Sequence, residues 1–143
     1  MFKTGKDVNY QMKRLAGMNE DYTWRRVEDD YGEYYYYLED SNYIIYMNKN
    51  ITSIVKATQE EYDGVKDGLT EDNIVSTEDS KNPIYMWYDS GVVYYYSEAD
   101  IIYLNSDASY MFCDLDSVTS IDTSSFDTRK VTDMSNSLAV VKV

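Results

Sequence analysis

The side chains equipped for chemistry in this sequence are carboxylates, phenols and one thiol. Histidine is absent and Cys113 is the only cysteine. A Ser–His or Cys–His nucleophile pair, an imidazole-ligated zinc and an intrachain disulfide framework are therefore excluded. Carboxylates can work in pairs, as in glycoside hydrolysis, but no spacing here singles out one pair. Asp114 and Asp116, and separately Glu20 and Asp21, offer hard oxygen ligands, yet the Gly-centred calcium loop with its closing Glu is missing. Cys113 sits in an apolar-periodic stretch with nothing to activate it and reads as a small buried hydrophobe. No catalytic residue, metal ligand or cofactor is assigned. The chain is expected to act by contact and not as an enzyme.

Charge narrows the contacts. The 143 residues carry 13 Lys and Arg against 26 Asp and Glu, a formal net charge of −13. Such a chain is repelled by phosphate backbones and anionic membranes, so neither direct nucleic-acid binding nor membrane insertion is expected. The acids are dispersed, with groups at Glu28, Asp29, Asp30 and Glu33, at Glu39 and Asp40, and again between Glu60 and Asp79. They read either as solvated charge around an aromatic surface or as a mimic of a nucleic-acid backbone. Carboxylates at i and i+2 on a strand lie about 6.6 Å apart, a spacing a basic groove could accept.

Tyrosine is the other unusual feature. There are 17, including runs at 34–37 and 94–96. Alternate side chains of a strand face opposite ways, so each run must present phenols on both faces. One face then belongs to the core. The other is a wetted surface or an aromatic contact surface, for which Tyr gives large area at low entropic cost. Tyr34, Tyr36, Tyr94 and Tyr96, with Asp29, Asp30, Glu33, Glu39 and Asp40, are the candidate partner-binding residues.

These side chains need elements to hold them. Val8, Met12 and Leu15 fall at helical spacing, Asp7 can cap, and Gly17 suits the position after the helix. From residue 22 the pattern changes to short Tyr-, Ile- and Val-rich runs at 22–27, 33–38, 43–47 and 51–56, separated by polar turns; their spacing predicts an antiparallel meander. Thr58 and Glu61 form a capping box before a second short helix that ends by Gly64 or Gly68. The polar, acidic stretch 70–82 reads as a loop, and Pro83 opens the next strand. Residues 84–88 and 92–96 around Asp89, Ser90 and Gly91 give the clearest hairpin signal, and a further strand is expected at 101–104. Trp24 and Trp87 read as core anchors.

From Asp107 the sequence carries Met111, Phe112, Leu115, Val118, Ile121, Phe126, Asp127, Thr128, Val131, Thr132 and Met134 in a pattern that resembles the leucine-rich repeat of BspA-type bacterial surface proteins. The strand pair around Trp87 and the stretch 2–17 resemble the leader region of such proteins from gut bacteria and their phages. The resemblance implies a C-terminal coil with Phe112, Leu115, Val118, Ile121, Phe126, Val131 and Met134 as its repeat core. Phe112, Leu115, Val118 and Ile121 recur every three residues, which independently suits a turn-and-strand coil. A single coil cannot stack on itself and must pack on what precedes it.

The expected fold class is α+β, mainly antiparallel sheet with a short N-terminal helix and a single leucine-rich-repeat-like coil at the end. Residues 1–106 form the α+β domain and 107–143 the repeat-like segment packed on it. The expected function is a non-enzymatic protein-interaction module of a bacterial surface or phage protein, with a protein or glycan partner. The alternative is an acidic nucleic-acid mimic that occupies a basic nucleic-acid-binding protein, such as a host defence nuclease. No signal-peptide core and no run of about 18 apolar residues occurs, so location stays open between cytoplasm and an exported or virion surface.

Overall fold

The computed structural model describes residues 1–17, 24–28, 34–38 and 48–137, with 24–28 and 34–38 described as backbone only. Helix α1 (Gly5–Leu15) is capped by Thr4, whose hydroxyl oxygen accepts from the Asp7 amide at 3.3 Å. Asp7, expected as the cap, sits instead in the first turn, where its charge favours the helix N-terminus. Val8 and Met12 are fully buried and Leu15 packs at the edge, as the spacing predicts. Gly17, with φ of +107°, follows the helix end and accepts the left-handed backbone that a side chain would resist.

Strands β1 (Trp24–Glu28) and β2 (Tyr34–Leu38) form an antiparallel pair with Trp24 opposite Leu38. The 43–47 run lies outside the described residues. β3 (Ser53–Lys56) is followed by α2 (Gln59–Val65), which opens on the expected capping box: the Glu61 amide donates to Thr58 Oγ1 at 3.1 Å and the Thr58 amide to Glu61 Oε1 at 3.0 Å. The expected loop contains a short 3₁₀ turn, Glu71–Asn73, and edge bridges from Ile74 to Tyr85 and from Ser76 to Phe2.

β4 (Tyr85–Asp89) and β5 (Val92–Tyr96) are the predicted hairpin, turning through Ser90 and Gly91, both at positive φ. The main sheet runs β4-β5-β3-β7, where β7 is Ser120–Ile121. β6 (Ile102–Tyr103) pairs with β8 (Phe126–Asp127). The two longest ladders, β1–β2 and β4–β5, are antiparallel. β3 does not continue a meander: it lies parallel to both β5 and β7. Periodicity fixes which face a strand buries, not the direction of its neighbour, so the parallel insertion of β3 was not visible in the residues. The class is α+β.

The main apolar cluster is drawn from both expected units, and a smaller one of Ala57, Trp87 and Tyr96 lies under α2. Phe2, Val8, Met12, Ile51, Ile54, Met86, Val93 and Tyr95 share the main cluster with Ile102, Leu104, Met111, Phe112, Leu115 and Val118. Gly5 lets α1 touch the C-terminal segment, because a Cβ there would lie 2.2 Å from Ser109 O. Asn9 ties the same contact, donating to Met111 O at 3.2 Å and Cys113 O at 2.8 Å. Phe112, Leu115 and Val118 are buried, and Ile121, Phe126 and Val131 are half-buried against the cluster. Met134 needs correction as a core residue: it is 45% exposed, because among the described residues no layer covers it.

Candidate interaction face

The β4–β5 hairpin presents one face to the core and an aromatic face outward. Met86, Val93 and Tyr95 point inward into the main cluster. On the outer side, register places Tyr85 opposite Tyr96, and Trp87 opposite Tyr94 with Val55 of β3 beside it. A third row holds Asp89, Val92 and Ser53. Cross-strand aromatic pairs of this kind add to sheet stability as well as to contact area.

Helix α2 covers one end of this face. It starts directly after buried Ala57, and its Tyr62 stacks on Tyr96 with ring centroids 4.4 Å apart and lies 5.2 Å from Tyr85. Val65 and Leu69 complete the cover. Loss of solvent, and then a hydrogen bond with Tyr85, push the Tyr62 phenol up to about 12. Tyr96 is raised by the same loss of solvent and then by Glu98 and Asp63. Both hydroxyls therefore stay protonated donors at neutral pH.

At the other end Trp87 is itself buried, beneath half-exposed neighbours. Trp87 and Tyr94 stack at 5.6 Å with nearly parallel rings, and Tyr94, Val55 and Val92 remain half-exposed there. Exposed carboxylates border the face, with Asp89 at the hairpin end and Glu60 and Glu61 on α2. Asp63 is partly engaged by Lys66 at 3.4 Å.

Of the predicted contact residues, Tyr94 lies on this open strip. Tyr96 needs correction: it is 8% exposed, because α2 folds over the end of the face it shares with Tyr94. Alternation placed the two together correctly but could not show the helix that covers one of them. The side chains of Tyr34 and Tyr36, and residues Asp29, Asp30, Glu33, Glu39 and Asp40, lie outside the described residues. Val55 and Val92 were missed; their signal was the run of β-branched residues in register beside the tyrosines.

Two groups of the described acids differ in their surroundings. Asp107, Asp122 and Asp133 each accept from the amide and hydroxyl of the serine two places on, and Asp127 accepts from the Arg129 amide and guanidinium. These bonds hold the Asp122, Asp127 and Asp133 carboxyls below their usual range. The acids between Glu60 and Asp79 are all exposed, with Lys66 the only cation among them.

Cys113 is buried, and burial pushes its thiol up to about 11, the opposite of an activated nucleophile. Among the described residues no group of three or more potential ligands could hold a metal ion, and no helix is long and apolar enough to cross a membrane. No family model, curated protein or solved structure matches the chain.

Proposed function

We propose that this chain is a non-catalytic protein-interaction module whose contact surface is the open strip of Tyr94, Val92 and Val55 over Trp87. The observation that carries this reading is the division of the outer face: α2 covers Tyr96, while Tyr94, stacked on the buried Trp87, stays half-exposed beside Val55 and Val92. An aromatic anchor on a rigid hairpin, with polar surroundings, is the arrangement that concentrates binding energy at interfaces. The bordering Asp89, Glu60 and Glu61 and the net charge of −13 favour a partner presenting Lys or Arg to the strip. On the resemblance of residues 107–134 to a BspA-type repeat, we extend the proposal to a role on a bacterial surface or a phage particle.

A second reading draws on the exposed acids between Glu60 and Asp79, which could enter a basic groove made for nucleic acid. The two separate by substitution. Capture experiments with the wild type, Y94A and an E60Q/E61Q/E71Q/D72N variant should show Y94A losing the partner if the strip is the contact. Loss only in the charge-neutral variant, together with competition by DNA or RNA, would replace the first reading by the second.

A further inference from the structure

The C-terminal segment contains a filled cation site made from one tyrosine and one aspartate on neighbouring strands. Tyr103 of β6 lies opposite Asp127 of β8. Arg129 Nε stands 2.9 Å from Asp127 Oδ2 and 3.1 Å from Oδ1, and the guanidinium lies 5.9 Å from the centre of the Tyr103 ring. Lys130 is closer to the same ring, at 4.3 Å, but bonds to no carboxylate among the described residues. The planar, many-donor guanidinium serves a ring and a carboxylate with one side chain; the compact ammonium here serves the ring alone.

The outer face of the hairpin carries the same two receptors. Register sets Trp87 opposite Tyr94 and Asp89 opposite Val92, so Tyr94 and Asp89 are diagonal neighbours on that face. Diagonal positions across an antiparallel pair lie about 7–8 Å apart, within the span of one long side chain. Tyr94 is half-exposed, and its near-parallel stack on buried Trp87 fixes the ring. Asp89 is exposed; its Oδ1 accepts from Ser90 Oγ at 2.9 Å, and among the described residues no donor meets Oδ2. The cations that lie over rings among the described residues face Tyr103 and Tyr110, not Tyr94.

We propose that the strip is an arginine receptor: a guanidinium from the partner protein rests against Tyr94 and donates to Asp89 Oδ2, as Arg129 does with Tyr103 and Asp127. This rests on reading the strip as the contact surface for a cationic partner, and narrows that partner's key residue from any basic side chain to arginine. A lysine reaching the ring would give up a tightly held hydration shell and leave the carboxylate unmatched. The guanidinium is weakly hydrated, stacks on aromatic rings and keeps donors over for Asp89.

Calorimetric titration of the whole chain tests it with three peptides of equal length, whose basic positions are all arginine, all lysine or all uncharged citrulline. The arginine peptide should bind at least about tenfold tighter than the lysine peptide, and the citrulline peptide should give no heat. D89N should narrow the arginine preference to less than about threefold, and Y94A should weaken both cationic peptides. Equal affinity for arginine and lysine, with both weakened by Y94A, would overturn the inference and leave the strip standing. A preference that survives D89N would overturn it as well. Affinities that Y94A leaves unchanged would remove the strip itself, and the inference with it. Hydrogen exchange of the β4–β5 amides reports whether Y94A keeps the hairpin; if it does not, Y94L is read in its place with the same outcomes.

Discussion

The phenol of Tyr95 donates to the backbone oxygen of Asp122 across 2.5 Å, joining the middle of the hairpin to the residue that follows β7. Tyr95 is otherwise fully buried, with Phe2 and Phe126 against its ring. The hydroxyl thus fastens the C-terminal segment to the sheet from inside the core. Y95F keeps the ring and removes the donor, and should cost about 1–3 kcal/mol in urea unfolding. Because the acceptor is main chain, D122A should add to Y95F without coupling; a coupling energy above about 1 kcal/mol would show that the side chain carries the link.

Gly5 is the second fastening. Its absent Cβ makes room for the carbonyls of Ala108 and Ser109, and its amide donates to Asp107 O at 2.9 Å. Because backbone cannot yield as a flexible side chain does, G5A should destabilise the chain by more than about 2 kcal/mol despite alanine's better helix propensity. An unchanged unfolding midpoint would mean that α1 can slide off the coil without loss.

Stability should depend on pH between about 8 and about 10 through two buried groups, Lys13 and Cys113. Burial lowers the Lys13 ammonium from 10.5 to about 8, partly opposed by Asp114 and Cys113. Between those values the unfolded chain holds a proton the folded chain has released, so stability rises with pH, by at most about 1.4 kcal/mol per unit. Cys113 acts oppositely: burial, and then Asp114, raise its thiol from 9.0 to about 11, so stability falls across that interval. The wild type should therefore gain stability from about pH 8 to about pH 9, hold level to about pH 10, and lose it beyond as the Tyr62, Tyr95 and Tyr96 phenols, which burial raises, ionise more readily in the unfolded chain. C113A should extend the gain, and K13M should abolish it and leave only the fall. Urea titrations across this range check the three profiles.

Local signals were legible in the sequence where one residue type meets one backbone demand. The Thr58–Glu61 capping box, the Ser90–Gly91 turn and the Val8–Met12 stripe all appear as the residues indicate. Partnering over distance was not. Nothing in the alternation of 51–56 distinguishes a fourth strand of a meander from one laid parallel between β5 and β7. The accessibility of Tyr96 turned on a helix that begins two residues after β3 and folds back across the hairpin. The match between Asp107 and Asp133 was present in the sequence as a repeated Asp-x-Ser, but that the two turns lie side by side is seen only in the amides of Ala108, Tyr110 and Phe112 donating to Asp133, Ser135 and Ser137.

The central claim is that the Tyr94 strip receives a cationic partner. Its most direct measurement is calorimetric titration of the whole chain with a Lys/Arg-rich peptide and with a neutral peptide of equal length, at low and moderate salt, in wild type and Y94A. The account predicts binding of the cationic peptide alone, weakened by salt, and reduced at least about tenfold by Y94A. Equal affinity in wild type and Y94A, or heat from the neutral peptide alone, would contradict it.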